Sequence, residues 1–509
     1  LQGLLDELLS MIVRLKEVHH LIDQVFKDLD EKEKRNIAAM KAELGKIEAA
    51  TSNGAKTAAG DSTGTAASPA PAASSNGDHH QHHHQDSSDD ESDNESTDSG
   101  EHEAITRADI AKMEEENELQ KRLRTQISFD SSEMVYVSAE LANTLVARLL
   151  RARSAEHLTL PVQAFSALYN AVQHFIVHVD KHVGRPCPTL RVILNGQAKA
   201  AFQAWDTKMC AKLSATLDVE RWMRAEIAND FVAVIMCLYT PKQNIHQKEV
   251  PEGTENVKTL TLGSERFSFV NSELIFLDML YDYLVFLDTM PSMYPEVISK
   301  IAEAINLWSK LTYGLVLKQG AVENQVVSGN INIGHLSLAS NCLGVQLALI
   351  PKIKERVISY IHDPSEITVL SNLDRATEEC TTHQQEIYSK MISTMRSRVD
   401  TCFKVYKVDE ATDKITPAVE KLVDATKKMH KILKTYLSPT PFRAIFRQII
   451  SVYNSQIKAH ITALNIKSPK EKAKLLTDVH FILTGLRSLE GVEDPTDELA
   501  EFVHERFKS

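Results

Sequence analysis

The chain has 509 residues, enough for about three domains of ordinary size rather than one large core. Its 18 glycines and 16 prolines are fewer than average, which disfavours turn-rich all-β folds and favours a mostly helical protein. The net charge is −12, but residues 51–103 hold eleven acidic residues and one lysine, so the rest of the chain sums to only −2. No broad positive field remains to bind a nucleic-acid backbone, and we therefore expect no nucleic-acid partner.

The cysteines indicate the redox compartment of the protein, and the apolar segments indicate whether it spans a membrane. Six cysteines are scattered without a CxxC pair, which argues against a zinc ribbon or a dense disulfide framework and favours a reducing cytosolic location. The most apolar stretch, 274–290, is interrupted by Asp278, Asp282 and Asp288, whose burial in lipid would be costly, so we predict no transmembrane helix. Because the chain begins at Leu1 rather than Met, we expect it to be a fragment of a longer protein.

The first 50 residues carry an apolar repeat that alternates steps of four and three over four heptads and is interrupted only by His19. This pattern predicts a coiled-coil assembly helix over residues 1–50. Additional apolar residues such as Leu4 and Val25 widen the stripe, as is typical of a helix covered by more than one partner. The alternative is an ordinary bundle helix that packs within this chain. The seam residues that we expect to contact other subunits are Leu5, Leu8, Ile12, Leu15 and Ile22.

Residues 51–104 are predicted to be a disordered acidic and histidine-rich linker. Residues 51–103 contain no aliphatic residue larger than alanine, no methionine and no Phe, Trp or Tyr, so nothing there can offset the entropy of ordering. The histidines at 79–84 could bind a metal ion, but an unstructured tract cannot orient ligands, and we expect none. The run 87–95 resembles substrates of acidic-directed kinases, although a solvated spacer needs no further role.

Helical periodicity returns after Ile105 and persists through most of the chain. One predicted helix begins after Pro161 and ends at Gly184, and alternating apolar residues near Gly263 predict a small β-hairpin. The fold class is therefore all-α, an elongated rod of stacked helical bundles. The predicted segments are a first helical bundle at 105–250, a β-hairpin connection at 251–270, a second helical bundle at 271–437 and a C-terminal helical module at 438–509.

Three patterns that suggest chemistry do not meet the requirements of that chemistry. A GxSxG sequence at 60–64 lies in the linker, without the strand and helix that a nucleophile elbow requires. The segment 329–334 has phosphate-loop spacing, but His335 and Leu336 stand where Lys and Ser or Thr are needed. His174, His178 and His182 share a helix face, but it is the polar face, where exposed histidines bind metals weakly. We therefore expect no enzyme activity, no cofactor and no metal site.

Two basic clusters could contact anionic lipid headgroups, although such clusters are usually solvated helix faces. One lies on the helix around 427–434. The other follows the C-terminal apolar helix, in a connection and helix start where positive charge gains nothing from the helix dipole. The candidate lipid-contacting residues are Lys467, Lys470, Lys472 and Lys474.

Three segments carry a resemblance to a known family. They read LSATLDVERW at 213–222, LVLKQGAV at 315–322 leading to LSLASNCL at 336–343, and DVHF at 478–481 followed by 486–489. In this order they resemble the C-terminal region of the vacuolar protein sorting-associated protein 54 family, over roughly residues 144–490.

The resemblance implies a noncatalytic subunit of the Golgi-associated retrograde protein complex. That complex tethers endosome-derived vesicles at the trans-Golgi network and promotes SNARE assembly. The implied partners are the three other complex subunits, SNAREs and small Golgi GTPases, with peripheral membrane contact on the cytosolic face of the trans-Golgi network and endosomes. The alternatives are a helical scaffold or adaptor, and a subunit of a related tether such as an exocyst-like or endosome-recycling complex.

Overall fold

The structure is a computed structural model that describes residues 1–55, 106–186, 188–246, 256–318, 331–361, 364–408, 414–466, 468–492 and 497–507. Within these residues the fold is all-α, as predicted, and the β-structure comprises one two-stranded sheet and an isolated bridge. The histidine cluster and the acidic run of the linker, with its GxSxG sequence, lie outside the described residues.

The helices follow the predicted periodicity closely. The helix predicted after Pro161 spans Val162–Val183. Short 3-10 helices occupy Pro291–Met293 and Pro364–Leu370. The α-helices are α1 Gln2–Ala55, α2 Arg107–Ala152, α3 Ser154–His157, α4 Val162–Val183, α5 Pro188–Asp218, α6 Asn229–Tyr239, α7 Asn271–Thr289, α8 Tyr294–Leu317, α9 Ile333–Ile358, α10 Ser371–Val405, α11 Pro417–Tyr436, α12 Pro439–Ala463, α13 Pro469–Arg487 and α14 Glu498–Arg506.

By internal contacts the chain divides into two compact units. Unit 1 comprises Leu1–Asn143 and Val177–Cys187, and unit 2 comprises Thr144–Ile176 and Pro188–Ser509. Both α2 and α4 therefore have residues in each unit. The units group residues by their contacts rather than by their order in the chain, and the six predicted segments stay a prediction.

The β-hairpin forms where the alternating apolar residues predict it. Strands β1, Leu260–Leu262, and β2, Glu265–Phe267, pair antiparallel in the register Leu260 opposite Phe267. Gly263 in the turn has φ of 63°, a left-handed conformation that glycine adopts without steric cost. Leu262 and Phe267 are buried, so the hairpin presents one apolar face to the core of unit 2.

Helix α7 is the central element of unit 2 because it is apolar on nearly every side. Fourteen of its residues are buried, from Ser272 to Thr289. The carboxylate of Glu220 accepts hydrogen bonds from the backbone N–H groups of Ser272, at 2.9 Å, and Trp222, at 3.1 Å. It thereby satisfies one of the free donors at the start of α7 and holds Trp222 at a φ of 54°.

Helix α9 is long and apolar enough to cross a membrane by length and composition alone, with a mean hydropathy of 1.4 in its most apolar window. The sequence prediction, made on the 274–290 stretch, did not single it out. Within the fold, 67% of that window is buried, as in the core helix of a folded unit. Asn341, for example, donates from Nδ2 to the carbonyl of Ser268 at 2.6 Å.

Candidate assembly surface

In unit 1, helices α1 and α2 pair antiparallel through a series of polar contacts. As the residue number rises along α1, the number of the contacting residue falls along α2. The contacts extend from the middle of α1 nearly to its end, so α2 covers this face of α1 within the chain. The paired residues are His19 with Ser131, Asp23 with Ser128, Asp30 with Arg124, Lys41 with Glu114, and Glu48 with Arg107.

His19, which interrupts the apolar repeat, occupies a buried position in this pair. Its Nδ1 lies 2.7 Å from Ser131 Oγ, and its Nε2 lies 3.6 Å from an Asp23 carboxylate oxygen. Asp23 in turn accepts a hydrogen bond of 2.5 Å from Ser128 Oγ. The interruption in the repeat is therefore a polar link to α2, which favours one alignment of the two helices over shifted ones.

Arg124 forms a second polar link. Its guanidinium donates to Asp30 at 2.6 Å and to both carboxylate oxygens of Glu33. The hydrogen bonds that Arg124 donates to Glu33, and then to Asp30, raise the pKa of Arg124 above its usual value. A planar guanidinium that spans two carboxylates fixes the distance between the helices as well as their alignment.

The five predicted seam residues do not share one environment. Leu5 and Ile12 are buried in the fold, each with 2% exposure, whereas Leu8, Leu15 and Ile22 are half-buried. Contact with another subunit through Leu5 or Ile12 would require the fold to open. The seam stays a prediction for the three half-buried residues, which border a more exposed stripe.

That exposed stripe lies one residue before the buried line of α1. Leu4, Met11, Val18 and Val25 repeat every seven residues and are about half exposed, with 60% for Met11. On α2, a matching set lies one residue before the positions that face α1. We call these nine residues the open face: Leu4, Met11, Val18 and Val25 on α1, and Leu123, Ile127, Met134, Val137 and Leu141 on α2.

The two halves of the open face lie on the same side of the helix pair. One residue corresponds to a rotation of about 100° around a helix. In an antiparallel pair, the same rotation from the contact line moves both stripes to the same side. The open face is thus one continuous apolar surface in unit 1, a feature that a folded protein rarely leaves uncovered without a partner.

The opposite side of α2 has a different occupant. Arg185, at the end of α4 in unit 1, contacts Glu133 at 3.3 Å and stacks over the ring of Tyr136 at 5.1 Å. Tyr136 lies one position after Val135 of the α1-facing line, and Glu133 lies two positions after Ser131, so this contact lies on a side of α2 away from the open face. The nine side chains of the open face stay exposed beside this contact.

The four lysines predicted to contact lipid also have different environments. Lys467 lies outside the described residues, and Lys470 is exposed. Lys472 and Lys474 both donate to backbone carbonyls of this chain, at 2.7 and 2.6 Å. Lys474 is buried and pairs with Asp478 at 3.1 Å, so its charge is used inside unit 2. The lipid contact stays a prediction, with Lys470 as its freely exposed described member.

The structure shows where the residues of two patterns that suggested chemistry lie. Asn332 and His335 form a reciprocal capping box at the start of α9, which explains a histidine in the place of a phosphate-binding lysine. His174 is exposed, and His178 and His182 are half-buried. The described ranges contain no group of three or more His, Cys, Asp or Glu residues arranged to hold a metal ion.

Residues of the family-like segments stabilise the core of unit 2. Glu220 and Trp222 in the first segment hold the start of α7, and Asn341 in the second binds the backbone after β2. Asp478 in the third accepts hydrogen bonds from Thr416 N, at 3.0 Å, and Tyr406 Oη, at 3.0 Å. These polar residues are buried, and their structural roles could not be recognised from the sequence alone.

The described residues thus define a protein of the all-α, multihelical class, with a hydrogen-bonded core and an apolar interhelical surface. Within that class, residues 264–398 match the family model described as Vps54-like protein. The resemblance to the Vps54 family is therefore confirmed.

Curated relatives extend the similarity beyond the matched domain. Vacuolar protein sorting-associated protein 54, chloroplastic, of Arabidopsis thaliana is 24% identical over 483 residues, covering 77% of this chain and 46% of the relative. Vacuolar protein sorting-associated protein 54 of Mus musculus is 24% identical over 347 residues, covering 67% of this chain and 35% of the relative. The chain thus spans less than half the length of these relatives.

Proposed function

We propose that this chain is a noncatalytic subunit of a vesicle-tethering complex of the Golgi-associated retrograde protein type. The observation that carries the proposal is the open face, a continuous apolar surface over two antiparallel helices in unit 1. The names of the relatives support a role in vacuolar protein sorting. The transport route that we propose is retrograde, from endosomes to the trans-Golgi network, where the complex couples vesicle capture to SNARE assembly.

The open face suits amphipathic helices from other subunits. Its residues on α1 repeat every seven positions, and those on α2 follow steps of three, four and seven, the spacing at which a helix packs side chains into a partner helix. The α1 part extends from Leu4 to Val25, about 31 Å at 1.5 Å per residue. A surface of that length accommodates about three heptads of each added helix.

The partners in this proposal are the three other subunits of the complex, together with SNAREs and small Golgi GTPases. The chain acts at the cytosolic face of the trans-Golgi network and endosomes as a peripheral membrane component. Lys470, and Lys467 beside it in sequence, supply at most about 1 kcal/mol each near an acidic surface. Most of the membrane attachment therefore comes from the assembled complex rather than from these lysines.

The test is a pair of substitutions on the open face, Val18→Asp with Val25→Asp, made in the full chain. Both side chains are exposed, so the helix pair should keep its melting temperature and circular dichroism. Coprecipitation of the three other subunits from cells should fall at least tenfold, because carboxylates would be buried against apolar partner residues.

The matched control is His20→Asp with Gln24→Asp, which adds the same negative charge to exposed positions on another side of α1. It should coprecipitate the other subunits normally. Retained binding by the open-face variant would contradict the proposal. Loss of self-association, with no effect on the other subunits, would favour a scaffold that pairs with its own copy. Ile12→Asp is unsuitable because it places a charge in the core.

A further inference from the structure

A second surface lies between α10 and α11, entirely within unit 2. Two cavities of about 650 and 380 Å³ open beside these helices, and the end of α8 and the start of α9 also line the larger one. Arg398 lines both cavities, so they are neighbours along α10, and we call the two together the groove. From Lys390 to Val405 the α10 side of the groove measures about 22 Å, or four helical turns.

The groove has an apolar floor with small side chains beside it. Leu336 and Leu422 are buried in the floor, and Ile432 is half-buried. Ala418 and Ala425 leave room above α11, and Val405 stands 66% exposed at the end of α10. An apolar channel with small residues along one wall can accept the larger side chains of an incoming helix.

The rim of the groove is positively charged. Lys390 and Arg398 project from α10 at spacings that place them on one helix face, and Lys421 projects from α11. All three are exposed, and none has an ion pair with an acidic residue in the described part of the chain. The described lining of the two cavities includes no Asp or Glu. The groove therefore combines apolar depth with a rim of one sign of charge.

We propose that this groove binds an amphipathic helix of a partner protein, with an apolar stripe along the floor and acidic residues against Lys390, Arg398 and Lys421. The charge of the rim selects acidic flanks, and the length suits about four helical turns. A concave groove with an apolar floor fits a helix better than a membrane surface, which presents its charge as a plane. The inference does not depend on the open face, because the groove lies in unit 2.

Reversing the charge of the rim should weaken binding of the acidic helix by a measurable factor. Exposed ion pairs each contribute a fraction of the binding energy, and reversing two of the three cations replaces attraction by repulsion, so affinity should fall about tenfold. High salt should weaken binding of the acidic helix as well, because the rim is exposed to solvent.

The experiment uses the full chain and a fluorescent helical peptide of two heptads, about four turns, with leucine at the apolar positions and glutamate at the flanking ones. A second peptide has lysine in place of each glutamate. The groove variant is Arg398→Glu with Lys421→Glu. The matched control is Lys208→Glu with Lys212→Glu, which makes the same charge change on exposed positions of α5. Circular dichroism and melting verify that both variants fold.

Fluorescence anisotropy should show that the glutamate peptide binds the unmodified chain and the control alike, and the groove variant about tenfold more weakly. The lysine peptide should bind the groove variant more tightly than the unmodified chain. Equal binding of the glutamate peptide to all three proteins would overturn the proposal. Two other results would also overturn it. In the first, the unmodified chain binds acidic vesicles but neither peptide, and the groove variant no longer binds the vesicles. In the second, the unmodified chain self-associates and only the groove variant does not.

Discussion

At the scale of single residues, Glu273 shows how a buried polar group is accommodated in unit 2. Its side chain is fully buried in α7, where Gln346 Nε2 donates to Oε1 at 2.6 Å and Oε2 has no hydrogen-bond partner. Burial raises the pKa of Glu273 well above its ordinary value, and the hydrogen bond from Gln346 offsets only part of that effect. The neutral acid is therefore the form that the core favours.

This burial makes stability depend on pH in a definite direction. Above the ordinary pKa of a glutamate, the unfolded chain releases its proton while native Glu273 keeps it, so stability falls as pH rises toward the native pKa. Glu273→Gln removes that dependence. The free energy of unfolding of the variant relative to the unmodified chain should rise from pH 5 to pH 8, by at most about 1.4 kcal/mol per pH unit.

Urea denaturation at several pH values measures this difference. Glu378→Gln, at an exposed position of α10, is the matched control and should show no comparable trend. A difference for Glu273→Gln that stays constant with pH would mean that the carboxyl ionises normally in the folded chain.

At the scale of secondary-structure elements, close helix packing depends on single small residues. Helices α11 and α13 contact each other where Gly485 faces the buried Val423. A Cβ atom at Gly485 would lie 2.6 Å from Val423 Cγ1, closer than atoms can approach without movement. The glycine therefore allows the spacing between these two helices.

Gly485→Ala should destabilise unit 2 by about 1–3 kcal/mol, because the added methyl group overpacks the contact. Val423→Ala should reduce that penalty, so the double variant loses less stability than the two single variants together. Gly196→Ala is the control, since nothing lies within 4 Å of its Cβ position in α5, and it should stabilise by up to about 1 kcal/mol. Thermal and urea unfolding measure all four variants. Strictly additive effects at 485 and 423 would show that the two positions are not coupled.

At the scale of the whole molecule, residues 56–106 join two helices that meet at their near ends. Arg107 Nε donates to Glu48 Oε1 at 2.7 Å, which lowers the pKa of Glu48 and raises that of Arg107. The connection therefore closes a loop, and the closure entropy depends on the logarithm of the loop length rather than on its sequence. The composition of residues 51–103 is consistent with a spacer.

Halving the length of the connection should stabilise the α1–α2 pair by about 0.6 kcal/mol. Amides of α1 that exchange when the pair opens should then exchange about threefold more slowly. Scrambling residues 56–105 at constant length and composition should leave exchange unchanged. Arg124→Ala, which removes the Arg124 contacts, provides the comparison. If scrambling accelerates hydrogen exchange of α1 as much as Arg124→Ala does, the connection contains a specific structural motif.

Much of the fold could be predicted from local sequence, because its signals are local. The 3.6-residue apolar period placed the helices, Pro161 and Gly184 marked the ends of α4, and alternating apolar residues around Gly263 indicated the hairpin. Each of these features depends on residues within a few positions of one another, so a single sequence suffices to recognise it.

Only the tertiary structure decided which faces those helices cover. The repeat in α1 indicated a seam, but packing within the fold buries Leu5 and Ile12 and leaves the neighbouring line with Val18 exposed. The charge of Lys474 suggested a surface role, but Asp478 holds it in the core. A helix period states how residues are arranged around one axis. The element that packs against each side depends on residues more than a hundred positions away, such as Ser131 beside His19, and that choice is made by the energy of the whole packed unit.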